Sequence, residues 1–146
     1  MTFTTPTVRL SRGQYERIVA HCYDGLPDEA CGLLAGPVGE KSEPRGVITE
    51  VTPCTNAEAS AITYTVDSRD LLRAERAAEA RGEELVGCWH SHTHTDAYPS
   101  PTDVRQAEWY PTWIYIIVSM RSSEPVLHAF RIRKSEIAEL PVVVGR

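Results

Sequence analysis

Two histidines separated by one residue follow an apolar segment and precede a helix-starting pattern, and this combination constrains the fold more than any other feature of the chain. The run from Leu85 to Trp89 predicts a strand, so His90 and His92 lie at its end with both side chains on one side. The sequence Ser100-Pro101-Thr102-Asp103 predicts a helix start, with serine as N-cap, proline at the first position and an acid at the third. We therefore expect a strand end and a helix start to meet at one site.

These residues can hold a catalytic metal ion. Two imidazoles on one side of a strand can converge on one ion, and Asp103 can supply a third ligand from the first turn of a rigid helix. Three ligands of this kind leave a tetrahedral zinc ion with one open position for water, as catalytic zinc sites do. A purely structural interpretation also exists for each part. Histidines often form ordinary hydrogen bonds, and the capping box that begins at Ser100 can serve only to start a helix.

Helical and extended patterns alternate along the chain and predict a single-domain α/β sandwich with a mixed β-sheet flanked by helices. Helices are expected after caps at Ser11 and at Asp67 or Ser68, ending near Gly25 and Gly82. Strands are expected at Val8 and Leu10, Glu29 to Ala35, Val47 to Thr52, Ile62 to Val66, Leu85 to Trp89, Trp113 to Met120, Val126 to Ile132 and Leu140 to Val144. The third and fourth of these are expected to be antiparallel neighbours and the last an edge strand, with a polar loop through Lys41 and Glu43.

Composition narrows the classes of function. A chain of 146 residues is the size of one domain, and we expect one domain over residues 1–146. The formal net charge of -5, with acids and bases mixed along the chain, argues against nucleic acid as a partner. The absence of a long apolar run or a secretory leader argues against a membrane partner and favours a cytoplasmic protein. A symmetric dimer is the commonest assembly for such an enzyme.

The four cysteines are widely spaced and form no C-x-x-C pair, so they predict reduced thiols in a cytosolic protein. For Cys22, Cys54 and Cys88 we expect small buried side chains. Cys31 lies two residues after Glu29, so in a strand it would face the same side and could line a cleft. A thiol nucleophile at Cys31 would need a free histidine as its base.

The string His90-Ser91-His92, seven residues, Ser100, two residues and Asp103 is the full signature of the JAB1/MPN/Mov34 (JAMM) zinc metalloprotease family, which this chain resembles. Residues 27–34 also resemble the family segment that carries a catalytic glutamate, which would be Glu29. The resemblance covers most of the chain and implies the JAMM/MPN fold, which is cytidine-deaminase-like. The bland interpretation of Glu29 is a solvated acid at the start of a strand.

The resemblance implies one Zn²⁺ ion per chain, held by His90, His92 and Asp103, with Glu29 as general base and acid and Ser100 as donor to the oxyanion. His94 is not expected to be a fourth ligand, since that would close the open position. It is expected either to shape the substrate groove or to be an ordinary surface histidine. Tyr98, similarly, is either a groove residue or a packed loop anchor.

The family resemblance implies a peptidase or isopeptidase that cuts after the C-terminal glycines of ubiquitin-like proteins. The chain is similar to the small bacterial branch, whose members remove cysteine from a ubiquitin-like sulfur-carrier protein with a C-terminal Gly-Gly, a step in cysteine biosynthesis. Two alternatives remain open, an isopeptidase acting on other ubiquitin-like conjugates and a non-catalytic MPN scaffold. A zinc deaminase is not favoured, because the chain has neither H-x-E nor P-C-x-x-C.

Overall fold

Strands and helices alternate through most of the chain in the computed structural model, which describes residues 6–39 and 46–146. The elements are β1 (Val8–Leu10), α1 (Arg12–Gly25), β2 (Cys31–Pro37), β3 (Glu50–Cys54), α2 (Ser68–Ala80), β4 (Glu83–His92), α3 (Pro101–Gln106), β5 (Ile114–Ser119), β6 (Val126–Arg133), β7 (Glu136–Leu140) and β8 (Val142–Val144). A short 3₁₀ turn, Ala107–Trp109, continues α3. None of the helices in the described residues is long and apolar enough to cross a membrane.

A six-stranded sheet with the order β3-β2-β4-β5-β6-β7 forms the centre of the fold. Strands β4 and β5 are parallel, in a register that runs from Gly87 opposite Ile114 to His92 opposite Ser119, and the other neighbours are antiparallel. Strands β1 and β8 form a separate parallel pair. The expectation of a mixed sheet is confirmed, and β5 is the buried central strand that its apolar sequence predicts.

Helices cover both faces of the sheet, as predicted. Helix α1 packs one face through Ile18 and Cys22, whereas α2 packs the other face through Ala74. Because side chains alternate along β4, Trp89 enters the core beneath α1 while Cys88 enters the core beneath α2. By the same alternation, the two histidines at the end of β4 lie on the α2 side of the sheet.

A glycine in β2 lets the two strands that frame the site pack closely. Trp89 is fully buried and lies against Gly32, where a Cβ atom would come within 2.2 Å of the indole ring. Gly32 and Trp89 are also register partners between β2 and β4. The bare backbone of Gly32 therefore leaves room for the indole, and this contact fixes the position of the start of β2 relative to the histidines.

The predicted helix starts are confirmed in detail. Ser11 accepts a hydrogen bond from the amide of Gln14 and forms a complete capping box with it. The Asp67 side chain accepts hydrogen bonds from the first amides of α2. Ser100 caps α3 with Asp103 at the third position. Each cap satisfies amides that an isolated helix leaves without partners.

The prediction of a strand from Ile62 to Val66 is wrong. That segment forms only one isolated bridge, between Asn56 and Val66. Its backbone is satisfied by a side chain instead: Asn56 donates to the carbonyl of Thr63 at 3.0 Å and accepts from the amide of Thr65 at 3.0 Å. The alternation of apolar residues misled the prediction, because Ile62 is 83% exposed.

The other strand predictions need smaller corrections. The segment from Val47 to Thr52 becomes a strand only at Glu50, since Val47 forms an isolated bridge with Arg9. The predicted edge strand from Leu140 to Val144 is displaced, because Val142–Val144 pairs with β1 and β7 takes the sheet edge instead. The predicted polar loop through Lys41 and Glu43 lies outside the described residues.

The edge strand β7 was missed because its turn is unusual. Lys134 and Ser135 connect β6 to β7, and both have positive φ, 49° and 68°. Such φ values belong to the tight hairpin turns that normally use asparagine or glycine. A turn built from lysine and serine gives no such signal in the sequence.

Candidate metal centre

Two elements deliver the three expected metal ligands to one point. His90 and His92 are the last alternate residues of β4, and Asp103 lies in the first turn of α3. All three side chains are buried. Among the residues that the structure describes, these three form a group of potential metal ligands whose donor atoms lie within 4.8 Å of one another.

The spacing of the donor atoms fits a tetrahedral ion. The Nε2 atoms of His90 and His92 are 3.1 Å apart, and Oδ2 of Asp103 is 3.2 Å and 3.0 Å from them, respectively. Zinc bonds of about 2.0–2.1 Å at tetrahedral angles place two ligands about 3.3 Å apart. The three atoms therefore form a nearly equilateral triangle of the right size, with a fourth position left for water or substrate.

The donor set also has the right chemistry for a cation. Nδ1 of His92 lies 2.8 Å from the carbonyl oxygen of Asp96, and a carbonyl can only accept, so Nδ1 carries the hydrogen. This leaves the lone pair on Nε2 of His92 directed at the other two donors. A cation bound to all three donors would satisfy both imidazole nitrogens and the carboxylate oxygen together.

The capping role of Asp103 is compatible with a role as a metal ligand. Its Oδ2 accepts from the amide of Ser100 at 2.9 Å, and its own amide donates to the Ser100 hydroxyl oxygen at 3.1 Å. Burial alone would raise the pKa of Asp103, but the imidazoles of His90 and His92 and the Ser100 amide hold it well below its usual range. Asp103 is therefore a carboxylate, the form that binds a cation.

Ser100 offers one group that the helix cap does not use. The hydroxyl oxygen accepts from Asp103, which leaves the hydroxyl hydrogen to donate to another group. The side chain sits at the start of α3, beside the ligand carboxylate. Its hydroxyl hydrogen is thus available to a group bound beside Asp103.

Glu29 lies just before β2 and is held firmly by its backbone. Its amide donates to the carbonyl of Ser60 at 2.7 Å, and Asn56 donates to its carbonyl at 3.0 Å. The adjacent residue, Ala30, exchanges two hydrogen bonds with Ser91, one from its amide to the hydroxyl at 2.8 Å and one from the Ser91 amide at 3.0 Å. The residue between the two histidines thus anchors the residue next to Glu29.

The environment of Glu29 differs from that of a solvated acid, so the bland interpretation of this residue is wrong. The side chain is only 6% exposed. Burial raises its pKa to about 7, against the opposing effect of His92 and with a further increase from Asp103. A carboxyl group that titrates near neutrality can both accept and release a proton.

The remaining candidates lie outside the donor triangle. His94 is exposed and is not part of the ligand group found among the described residues. Cys31 is fully buried, so it does not line an open cleft, and burial raises the pKa of its thiol far above its usual value. A thiolate nucleophile at Cys31 is therefore disfavoured.

Tyr98 is 55% exposed, and its ring packs against that of Phe130 in a T-shaped arrangement with the ring centroids 5.5 Å apart, as expected of a loop anchor. Cys22, Cys54 and Cys88 are buried free thiols, as predicted.

Three residues around the centre were not singled out from the sequence. Ser91 lies on the opposite face of β4 from the two histidines and accepts a hydrogen bond from the amide of Ala30. A serine that alternates with two candidate ligands and points into the core is the signal that could have indicated this internal hydrogen bond. Tyr64 lies in the segment predicted as a strand, and Asn56 lies just before it. A strand there does not predict the hydrogen bond from Asn56 to the carbonyl of Glu29 or the stacking of Tyr64 on His90.

Comparison with known proteins identifies the class to which this fold and site belong. The family model for prokaryotic homologs of the JAB domain matches residues 11–133. The chain therefore belongs to the prokaryotic JAB family, and the resemblance read from its histidines and aspartate is confirmed.

Individual relatives agree with this assignment. The CysO-cysteine peptidase of Mycobacterium tuberculosis is 43% identical over 128 residues, which cover 87% of this chain and 84% of the relative. A desampylase of Haloferax volcanii is 31% identical over 121 residues, 80% of this chain and 83% of the relative. The solution structure of a protein from Desulfitobacterium hafniense is similar with a TM-score of 0.82 and 32% identity, covering 94% of this chain and 92% of that one.

Proposed function

We propose that this chain is a zinc metallopeptidase that hydrolyses the amide bond after the C-terminal Gly-Gly of a ubiquitin-like sulfur-carrier protein and releases cysteine for cysteine biosynthesis. The single observation that carries the proposal is the buried triangle of His90, His92 and Asp103, with edges of 3.0–3.2 Å, next to a buried Glu29. The 43% identity to a protein named CysO-cysteine peptidase supports the choice of substrate.

The donor triangle suits one zinc ion with an open position. A bound zinc ion supplies Lewis acidity there and lowers the pKa of a coordinated water from about 15.7 towards roughly 7. His92 keeps its Nε2 lone pair for the metal because its Nδ1 hydrogen is committed to the carbonyl of Asp96. Asp103 supplies the negative charge that the imidazoles lack.

Proton transfer falls to Glu29. Its buried carboxylate accepts the proton that the attacking water loses, and then gives that proton to the amine that leaves when the amide bond breaks. The hydrogen bonds from Asn56 and to Ser60 hold its backbone in place while the proton moves. Ser100 donates its free hydroxyl hydrogen to the oxygen of the former carbonyl as negative charge develops there.

A second substrate class is favoured by a specific observation. The relative from Haloferax volcanii is named a desampylase, which indicates a related protein that removes a whole ubiquitin-like modifier. The same residues would cut an isopeptide bond to a lysine side chain, because the bond broken is again an amide after the terminal glycine. The two activities differ only in what lies on the amine side of the bond.

We propose a cytoplasmic site of action for one catalytic domain that spans the chain. The four cysteines are free and buried, which is typical of proteins in a reducing compartment.

The test uses intact-mass spectrometry of two substrates, a sulfur carrier ending in Gly-Gly-Cys and the same carrier joined through its terminal glycine to a lysine side chain. We expect the parent protein to remove one cysteine from the first, and the chelated protein to remove none. The Glu29→Ala variant should be inactive while still binding one zinc ion per chain by metal analysis. The neighbouring Asp28→Ala variant is the matched control and should retain activity.

The outcomes discriminate among the candidates. Preferential cleavage of the lysine-linked carrier would favour the isopeptidase. Purified, unchelated parent protein that holds no zinc and cleaves neither carrier would favour a non-catalytic scaffold. Equal cleavage by Glu29→Ala and the parent would remove Glu29 from the mechanism.

A further inference from the structure

The two histidine ligands are oriented by different means. Nδ1 of His92 is fixed by the carbonyl of Asp96, the usual arrangement for a metal-binding histidine. Nδ1 of His90, in contrast, is buried and has no hydrogen-bond partner among the described residues. The hydrogen-bonding contacts of His90 within the described part of the chain are therefore at Nε2 alone, 3.1 Å from Nε2 of His92 and 3.2 Å from Oδ2 of Asp103, and no contact at Nδ1 fixes the plane of the ring.

Tyr64 supplies that support. Its ring stacks on the imidazole of His90, with centroids 4.3 Å apart and an angle of 20° between the planes. We infer that Tyr64 is a positioning residue that orients His90 for metal binding by stacking, in place of the missing hydrogen bond to Nδ1. This inference rests on the proposed function, because it assumes that His90 is a zinc ligand.

The physical chemistry of the stack favours the metal-bound state. An imidazole that shares its Nε2 lone pair with a cation becomes electron-poor, and the face of a tyrosine ring carries partial negative charge. The attraction between the two rings therefore strengthens when the metal binds. It comes from the ring itself, so the tyrosine hydroxyl, which lies 3.7 Å from the Cys88 sulfur, is not required.

The surroundings of Tyr64 make its ring hard to replace. Tyr64 and Cys88 line a cavity of about 240 Å³ that is otherwise bordered mainly by apolar and aromatic side chains, among them Trp113 and Tyr115. Without the Tyr64 ring, His90 would border this space instead of a packed surface. The imidazole would then have room to turn away from Asp103, and its unpartnered Nδ1 would not oppose that motion.

The backbone of Tyr64 is tied to the other parts of the site. Gln106, in the helix that begins with the Asp103 turn, donates to the Tyr64 carbonyl at 3.4 Å. On either side of Tyr64, Asn56 binds the carbonyl of Thr63 and the amide of Thr65, and it also binds the carbonyl of Glu29. The Asn56 side chain therefore fixes the backbone of Glu29 and also the backbone on both sides of Tyr64, whose ring lies against His90.

The test compares metal affinity across three variants of the full chain. Tyr64→Phe retains the ring and should bind zinc within about threefold of the parent. Tyr64→Leu removes the ring and should lose affinity on the order of tenfold or more, as typical when the support of a metal-binding histidine is lost. Tyr115→Leu is the matched control, because Tyr115 lines the same cavity and is buried, but its hydroxyl donates to the carbonyl of Tyr110. It should retain the parent affinity.

Affinities are measured by competition with a chromophoric chelator, and the visible spectrum of the Co²⁺ form reports the ligand geometry. The inference predicts an altered Co²⁺ spectrum in Tyr64→Leu and a parent-like spectrum in Tyr64→Phe and Tyr115→Leu. Thermal melts without metal show whether each variant is folded. A Tyr64→Leu variant that is unfolded without metal is replaced by Tyr64→Met, with the same expectation.

The failures are distinguishable. Parent-like affinity and Co²⁺ spectrum in a folded Tyr64→Leu variant would overturn the role of Tyr64 alone. An equal loss of affinity in Tyr115→Leu would also overturn it, since cavity packing would then explain the effect. A parent protein that binds neither zinc nor Co²⁺ would overturn the proposed function and this inference together.

Discussion

The serine between the two histidines should matter for stability and turnover but not for metal affinity. Ser91 is fully buried, and its hydroxyl accepts a hydrogen bond from the amide of Ala30 at 2.8 Å. Ala30 is itself only 4% exposed, so water cannot easily replace that partner. The change Ser91→Ala removes one oxygen atom and leaves a buried amide without an acceptor.

The size of the effect follows from that amide. A buried donor left without a partner costs about 1–3 kcal/mol. For a chain of this length, each kcal/mol lowers the melting temperature by about 2–4 °C, so we expect a decrease of roughly 6 °C within a range of about 2–12 °C. Turnover should fall as well, because Ala30 adjoins Glu29. Metal affinity should stay within about threefold of the parent, because Ser91 faces away from the side of the sheet that carries His90 and His92.

Calorimetry of the metal-free proteins gives the stability change without a contribution from bound metal. The control is Ser119→Ala, on the neighbouring strand opposite His92. The Ser119 hydroxyl donates to the carbonyl of Thr95 at 2.6 Å and accepts from the amide of Arg121 at 3.3 Å, but Thr95 and Arg121 are both exposed, so water can replace the hydroxyl at each of them. We expect a decrease of about 2 °C or less. At about 2–4 °C per kcal/mol, a Ser91→Ala protein that melts within about 1 °C of the parent would refute the reasoning.

Four further variants, one of them a control, test separate parts of the structure. Asp103→Asn keeps the shape of the side chain but removes its charge, so zinc affinity should fall at least about a hundredfold in chelator competition; near-parent affinity would exclude Asp103 as a charged ligand. Gly32→Ala places a Cβ atom 2.2 Å from the Trp89 indole and should destabilise the fold by about 1–3 kcal/mol in denaturant unfolding. The control is Gly13→Ala, in a helical position with room for a Cβ atom, which should stabilise the fold by up to about 1 kcal/mol. Equal losses of stability in Gly32→Ala and Gly13→Ala would contradict a steric clash at Trp89. Ser100→Gly retains an acceptable helix cap but loses the hydroxyl, so kcat should fall about a hundredfold in the cysteine-release assay while zinc stays bound; unchanged kcat would remove Ser100 from oxyanion stabilisation.

The donor triangle was predictable from the sequence because it depends on local rules. Alternation along a strand places His90 and His92 on one side, and the capping pattern at Ser100 fixes Asp103 in the first turn of a helix. The structure brings these three donor atoms together as expected. Glu29 came only from the resemblance to a family, since no local rule connects the start of β2 with the end of β4.

The support around the triangle could not be predicted in the same way. Tyr64 alternates with Ile62 as it would in a strand, yet the segment is held by the side chain of Asn56 and forms no ladder. One asparagine that uses its amide group for four backbone partners leaves no periodic signal in the sequence. The hairpin at Lys134 and Ser135 was also not predictable, because the pairing of β6 with β7 closes a turn that these two residues do not favour.

Each side chain of the donor triangle is held in place by a different contact, so loss of each contact should affect metal binding separately. Asp103 is fixed by the Ser100 amide and His92 by the carbonyl of Asp96, whereas His90 rests on the ring of Tyr64. None of the three contacts includes the metal, so the arrangement should already exist in the metal-free protein. Loss of one contact should therefore weaken metal binding in proportion to the freedom that one ligand gains, while the other two ligands remain in place. Because stacking is less directional than a hydrogen bond, His90 is the ligand that we expect to move first.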